Sequence, residues 1–344
     1  MTRKQSRLLF LSIAIAACFI GGLVVNYFPW MKSRLMSNIN KWDGFSRVQI
    51  RSNADGSLQP AYFVASRARI LKPLVVSLHT WSGDYSQNDP LAGMTKGEGW
   101  NYIHPDFRGP NWTKDACLSN KAVSDIDDAI QYAINSGSVD IEKIFVVGVS
   151  GGGYATLGSY LKTSHNIKAF LSWAPISDLS AWFHQSRSRN AKFVQDILQC
   201  TSDGTILNES EARQRSPMFW DLPVKPKGRL EIFAGINDGY GGSVPISHSI
   251  QFFNRVVAHY GYLESRIGED DIVKLLTRGV KKENGSDKIG DREVLYAKNT
   301  TLVSITIFNG DHEILPEYCF RRMKTIAEQG SALDGDSAAL HPHQ

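Results

Sequence analysis

Cysteine is scarce in this chain: there are four, Cys18, Cys117, Cys200 and Cys319. They stand too far apart for the close pairs from which structural zinc sites are built, so no structural metal is expected. Asp84, Asp106 and Asp178 are the carboxylates to weigh for a metal, but their spacing is not diagnostic and none is assigned. Dense basic tracts are missing too. The 38 basic and 34 acidic residues leave a net charge of +4 spread along the chain, with no electrostatic track for nucleic acid. A dinucleotide fingerprint is also lacking, because Gly151-x-Gly153 is followed by Thr156 where a third small residue is needed. No cofactor is expected.

What is present begins with an apolar leader. Arg3, Lys4 and Arg7 precede an uncharged run of 18 residues from Leu8 to Val25, which as a helix would reach about 27 Å. Tyr27 and Trp30 follow as an interfacial belt, and the run lacks the short core and cleavage site of a removed signal. We read residues 1–35 as an uncleaved single-pass anchor and linker. The body is then expected outside the cytoplasm, periplasmic or extracellular, with the membrane as a partner. A lipoprotein site at Ile15-Ala16-Ala17-Cys18 is the alternative, less favoured because an apolar stretch follows the cysteine. Three thiols remain for the folded part. One disulfide is compatible with that number, and Cys117 with Cys200 is preferred, although sequence does not assign it.

With 42% hydrophobic residues in 344, the rest can bury a sizeable core. Val48 and Ile50 alternate against polar neighbours before an Asn53-Ala54-Asp55-Gly56 turn and a second strand, which reads as a hairpin. Leu74 to Leu78, Ile144 to Val147, Ala169 to Trp173, Leu230 to Ala234 and Leu302 to Phe308 are continuous apolar runs, as expected of strands buried on both faces. Helical stripes such as Ile126, Ala129, Ile130 and Ala133 alternate with them. The pattern implies an α/β fold over 41–329: a mostly parallel twisted sheet with helices on both faces. Residues 177–226 lack a clear strand and read as a helical cap. Residues 262–299 read as a further insertion, with Val294 to Ala297 forming a hairpin with the last strand. Residues 330–344 are small and polar and are expected to be disordered.

The chemistry centres on Gly148-Val149-Ser150-Gly151-Gly152-Gly153, where an apolar strand runs into a Gly-x-Ser-x-Gly turn. Such an elbow holds a serine hydroxyl out of the sheet, and small residues are needed because strand and helix backbones nearly touch. Acyl transfer by serine also needs a base, an acid to orient it and donors for the oxyanion. Asp238 follows one strand end in Gly235-Ile236-Asn237-Asp238-Gly239, and His312 follows the last in Gly310-Asp311-His312. Alone, each has a plainer reading, as a turn former or a surface group. Together they give the order Ser, Asp, His that α/β-hydrolases use. His79 and His104 precede Ser150, and His248 lies within a helix, where it would act through another residue. The N–H of Gly151 is one oxyanion donor, and its helix N-terminus favours negative charge. A second donor is expected from Thr80 or Trp81, by main chain or by the Trp81 indole.

With these residues in place, the chain from Leu74 to His312 resembles the catalytic domain of the prolyl oligopeptidase family of α/β-hydrolases. The matching pieces are Asp106-Phe107-Arg108-Gly109, the Gly148 to Tyr154 elbow, Gly235-Ile236-Asn237-Asp238 with Val244-Pro245 and Ser249, and Gly310-Asp311-His312. The resemblance implies Ser150 as nucleophile, Asp238 as orienting acid and His312 as base. Two departures stand out: Trp81 where the family's peptidases often use a tyrosine hydroxyl, and no room for the family's β-propeller before Leu74. The expected function is a membrane-tethered serine hydrolase cleaving a small peptide or an acyl ester through an acyl-enzyme. An esterase for acylated carbohydrate is the alternative, with Trp81, Trp112, Trp182 and Phe183 stacking on sugar rings. A hydrolase-fold binding protein with a silent site is another. Trp112, Trp182, Phe183 and Arg108 are taken as substrate-binding candidates.

Overall fold

Alternation of Val48 and Ile50 with polar neighbours produces strand β1 (Ser46–Arg51), which turns through Gly56 and pairs antiparallel with β2 (Leu58–Val64). The computed structural model describes residues 42–189, 191–280 and 287–329. The chain divides into two units, Met1–Gly44 and Phe45–Gln344, and the sheet and its helices belong to the second.

The continuous apolar runs become the inner strands. They are β3 (Lys72–Leu78), β4 (Asn101–Pro105), β5 (Val139–Val149), β6 (Ala169–Trp173), β7 (Arg229–Gly235) and β10 (Val303–Phe308), all mutually parallel. The connecting helices are α1 (Pro90–Gly97), α2 (Asn120–Ser136), α3 (Gly151–Lys162) and α7 (Ser247–His259), with α9 (Pro316–Glu328) last. A ten-stranded sheet results, in the order β1-β2-β4-β3-β5-β6-β7-β10-β9-β8, with β8 (Lys288–Ile289) and β9 (Arg292–Asn299) antiparallel at the far edge. Parallel strands need crossovers, and the crossover helices cover both faces, which is why most residues of the inner strands are buried.

One face packs β5 against α2 and α3, and β7 and β10 against α7. On the other, Trp100 stacks on Phe145 and Trp173 on Phe233, with Phe320 of α9 closing over Trp100. Among the described residues of 177–226 stand the α-helices α4 (Leu179–Ser188), α5 (Phe193–Thr201) and α6 (Glu209–Gln214). Asp178 caps α4 by accepting from the Ala181 N–H at 3.0 Å. Residues 262–299 hold α8 (Glu269–Leu276) and β9, which pairs antiparallel with β10, so much of this segment extends the sheet. The Tyr296 hydroxyl of β9 donates to Asp271 of α8 at 3.1 Å.

Two expectations need correction. The anchor expected at residues 8–25 lies outside the described residues, as does the tail at 330–344. Among the described residues no helix is long and apolar enough to cross a membrane, and the membrane-anchored localisation is withdrawn on that finding. Cys117 and Cys200 are neighbours, but both are buried free thiols rather than a disulfide, and burial holds the Cys200 thiol well above its usual range.

Candidate active site

The apolar run of β5 carries the chain to Ser150, which adopts φ 61° and ψ −119° before α3 begins. A non-glycine residue held there costs about 1–3 kcal/mol, which the surrounding packing must over-determine. The packing leaves no alternative: a Cβ on Gly148 would lie 2.4 Å from the Gly152 carbonyl carbon, so strand and helix touch backbone to backbone. The Ser150 N–H donates to Trp173 O at 2.9 Å, and the Ser150 carbonyl accepts from Tyr154 N–H at 2.8 Å, so both sides of the turn are anchored.

Asp238 and His312 sit on loops beyond the carboxyl ends of β7 and β10, which are neighbours in the sheet. Asp238 is almost fully buried. Its Oδ2 meets His312 Nδ1 at 2.6 Å, and its Oδ1 accepts from the Val244 N–H at 3.0 Å. Gly242 closes over the pair: a Cβ there would lie 2.3 Å from Asp238 Oδ1 and 2.8 Å from His312 Cβ. Ser150 and His312 line one cleft of about 600 Å³, together with Trp81, Lys192, Phe193 and Glu313.

Of the candidate oxyanion donors, two main-chain groups lie together. The Trp81 nitrogen lies 2.2 Å from where a Cβ on Gly151 would stand, so the N–H groups of Trp81 and Gly151 belong to one small region. Among the described residues the Trp81 N–H has no hydrogen-bond partner. The Thr80 N–H is taken, donating to Gln87 Oε1 at 3.0 Å. The Trp81 indole is taken as well, donating to Asp196 Oδ2 at 3.0 Å.

The substrate-binding candidates fare differently. Arg108 is engaged by Asp55 at 2.8 Å and by Asp125 and Ser52, a network that ties β1 and its turn to α2. Trp182 is fully buried, edge-on to Trp81 at 4.8 Å, and donates its indole N–H to Ser243 O at 2.9 Å. Phe183 is buried and Trp112 half-buried, and none of the four lines the cleft. The three competing histidines are buried. Burial lowers His79, takes His104 down to about 4 and, with help from Arg189, takes His248 down to about 3. Asp84 and Asp178 serve a local turn and a helix cap, and Asp106 Oδ1 accepts from the Tyr85 N–H at 3.2 Å. Sequence reasoning missed Lys192, Phe193, Asp196, Arg189 and Gln87. No pattern along the chain marks Asp196 or Arg189, whose partners Trp81 and Gly239 lie 115 and 50 positions away.

A model of the prolyl oligopeptidase family matches residues 94–267, half of the chain. The chain belongs to the prolyl oligopeptidase family. Its ten-stranded, mostly parallel sheet with helices on both faces is the α/β-hydrolase fold of the solved peptidases it resembles. It is similar to acylamino-acid-releasing enzyme 2 of Oryza sativa subsp. japonica, 25% identical over 236 residues that cover 64% of this chain and 30% of that protein. Among solved structures it is similar to the Pyrococcus horikoshii acylaminoacyl peptidase (TM-score 0.54, 17% identity), over 83% of this chain and 41% of that one. A puromycin-hydrolyzing peptidase of Mycobacterium tuberculosis aligns with TM-score 0.54 at 15% identity, over 87% of this chain and 40% of that one. The chain thus spans well under half the length of these relatives.

Proposed function

We propose that this member of the prolyl oligopeptidase family is a serine peptidase that releases an acylated amino acid or short fragment from a small peptide, through an acyl-enzyme on Ser150. The observation that carries the reading is the 2.6 Å contact between His312 Nδ1 and Asp238 Oδ2 at the cleft that Ser150 also lines. With Nδ1–H donated to the carboxylate, His312 Nε2 is left as the base. It takes the Ser150 proton as Oγ attacks the scissile carbonyl, then returns it to the departing amine, and a water repeats the sequence to free the acid. Asp238 holds the imidazole tautomer through that contact. The N–H groups of Gly151 and Trp81 receive the oxyanion.

A peptide substrate is favoured over an ester by the acylamino-acid-releasing relative. The carbohydrate-esterase reading has less support, because Trp81, Trp182 and Phe183 are buried and the half-buried Trp112 does not line the cleft. A silent binding protein is disfavoured by the retained acid–base pair. A fluorophosphonate probe is expected to label wild type and not Ser150→Ala, with turnover falling by about 10⁶-fold in the variant. Equal labelling of both would sink the reading. N-acetyl aminoacyl p-nitroanilides run beside p-nitrophenyl esters decide between peptidase and esterase.

A further inference from the structure

The cap does more than border the cleft, because it grips both loops that carry the chemistry. Trp81, whose main-chain nitrogen lies beside Gly151, is 2% exposed and packs edge-on to Trp182 of α4. Its indole N–H ends on Asp196 Oδ2 of α5 at 3.0 Å. Asp196 is partly buried and burial pushes its carboxyl up, while the Trp81 hydrogen bond and the nearby Lys192 charge pull the other way. A half-buried carboxylate needs donors, and here the indole is one of them.

On the other side, Arg189 at the end of α4 spreads its guanidinium over the loop behind the acid. It donates to Gly239 O at 3.1 Å, Gly242 O at 2.8 Å and Ser243 O at 2.9 Å. Gly242 is the residue packed on Asp238 Oδ1 and His312 Cβ. The Trp182 indole donates to Ser243 O as well, so this one side chain touches both loops.

We propose that Asp196 and Arg189 are positioning residues of the active site. Asp196 fixes the Trp81 oxyanion peptide through the indole, and Arg189 fixes the Gly239–Ser243 loop that holds Asp238 against His312. The proposal rests on the hydrolase reading above. An oxyanion donor acts only when it is aimed at the place where charge develops, so a tether on its own side chain acts on the transition state more than on the bound substrate.

Asp196→Leu removes the acceptor, and Asp196→Asn restores one through its amide oxygen. With rates taken per site titrated by fluorophosphonate, so that misfolded protein does not count, Asp196→Leu is expected to lose about tenfold or more in kcat with KM within about twofold. Asp196→Asn should recover most of that loss, and Trp81→Phe added to Asp196→Leu should cost little more. Arg189→Met should likewise lower kcat at nearly constant KM. A kcat for Asp196→Leu equal to wild type, or no recovery in Asp196→Asn, overturns the tether. Hydrogen exchange at amides 80–83 needs no turnover and reads the same link: it should quicken by about tenfold in Asp196→Leu, and unchanged exchange overturns the proposal. Loss of Ser150-dependent labelling in wild type would instead overturn the hydrolase reading while leaving the exchange result to judge the tether.

Discussion

The elbow at Ser150 and the cap at residues 177–226 shape the same cleft by different means. The elbow is made by backbone sterics among near neighbours: Gly148 and Gly152 are four positions apart and touch main chain to main chain. The cap acts through side chains that reach far along the sequence. Asp196 meets Trp81 across 115 positions, Trp182 meets Ser243 across 61 and Arg189 meets Gly242 across 53. A local device leaves a motif, because small residues are required at fixed spacing. A distant device leaves none, since any donor on one element can meet any acceptor on another once the fold has brought them together.

Three changes would break or sharpen this contrast. The largest effect is expected from Asp238→Asn, which keeps the shape of the acid loop but leaves His312 in the wrong tautomer. Turnover should fall by about 10⁴-fold while substrate binding stays near wild type, as steady-state kinetics would read. A loss no greater than that of the cap variants would mean that the acid loop and the cap are equivalent supports, and the contrast would fail.

Next comes Gly152→Val. A Cβ at Gly152 would lie 2.2 Å from Leu78 O, a backbone atom that no rotamer change can relieve. Stability should drop by about 3 kcal/mol, since overpacking at a rigid site costs at least that of an ordinary core insertion. Urea unfolding measures it, and a variant as stable as wild type would show that strand and helix can separate.

The smallest effect concerns the cap alone and depends on pH. His248 Nδ1 accepts from the Ser177 N–H at 3.2 Å, and its other nitrogen bonds Gln185 Oε1 at 2.9 Å, so it belongs neutral at the root of the cap. Its folded pKa of about 3 lies below the ordinary value of 6.5. Between those values the unfolded chain binds the proton and the folded chain does not. The neutral form's stability is therefore whole above pH 6.5 and lost as pH falls toward 3, by at most about 1.4 kcal/mol per pH unit. His248→Asn should be less stable at neutral pH and flatten the wild-type slope between pH 6 and 5, as thermal melts across that range would record. Parallel slopes in the two proteins would remove His248 from the account.

Much of the fold was legible because continuous apolar runs have few uses in a chain of this composition. The runs at Leu74, Ile144, Ala169, Leu230 and Leu302 all lie in inner strands of one sheet. The segment around Val294 was legible as a hairpin partner, and it stands as β9 between β10 and β8. The aromatic candidates misled for a physical reason. A tryptophan in a loop rich in polar neighbours reads as exposed, yet Trp182 fills the space between Trp81 and Phe193. Arg108 misled similarly, since a charge beside a predicted strand end gives no sign that Asp55 and Asp125 already hold it.

Sequence alone determined the elbow, the alternation of strand and helix, and the order Ser150, Asp238, His312, because these depend on residue type at a fixed place along the chain. Tertiary structure alone decided that Asp238 and His312 meet at 2.6 Å, and that the Trp81 indole is held by Asp196 rather than free for substrate. Hydrogen bonds between distant side chains depend on distances of tenths of an ångström, and only the packed sheet and cap set those.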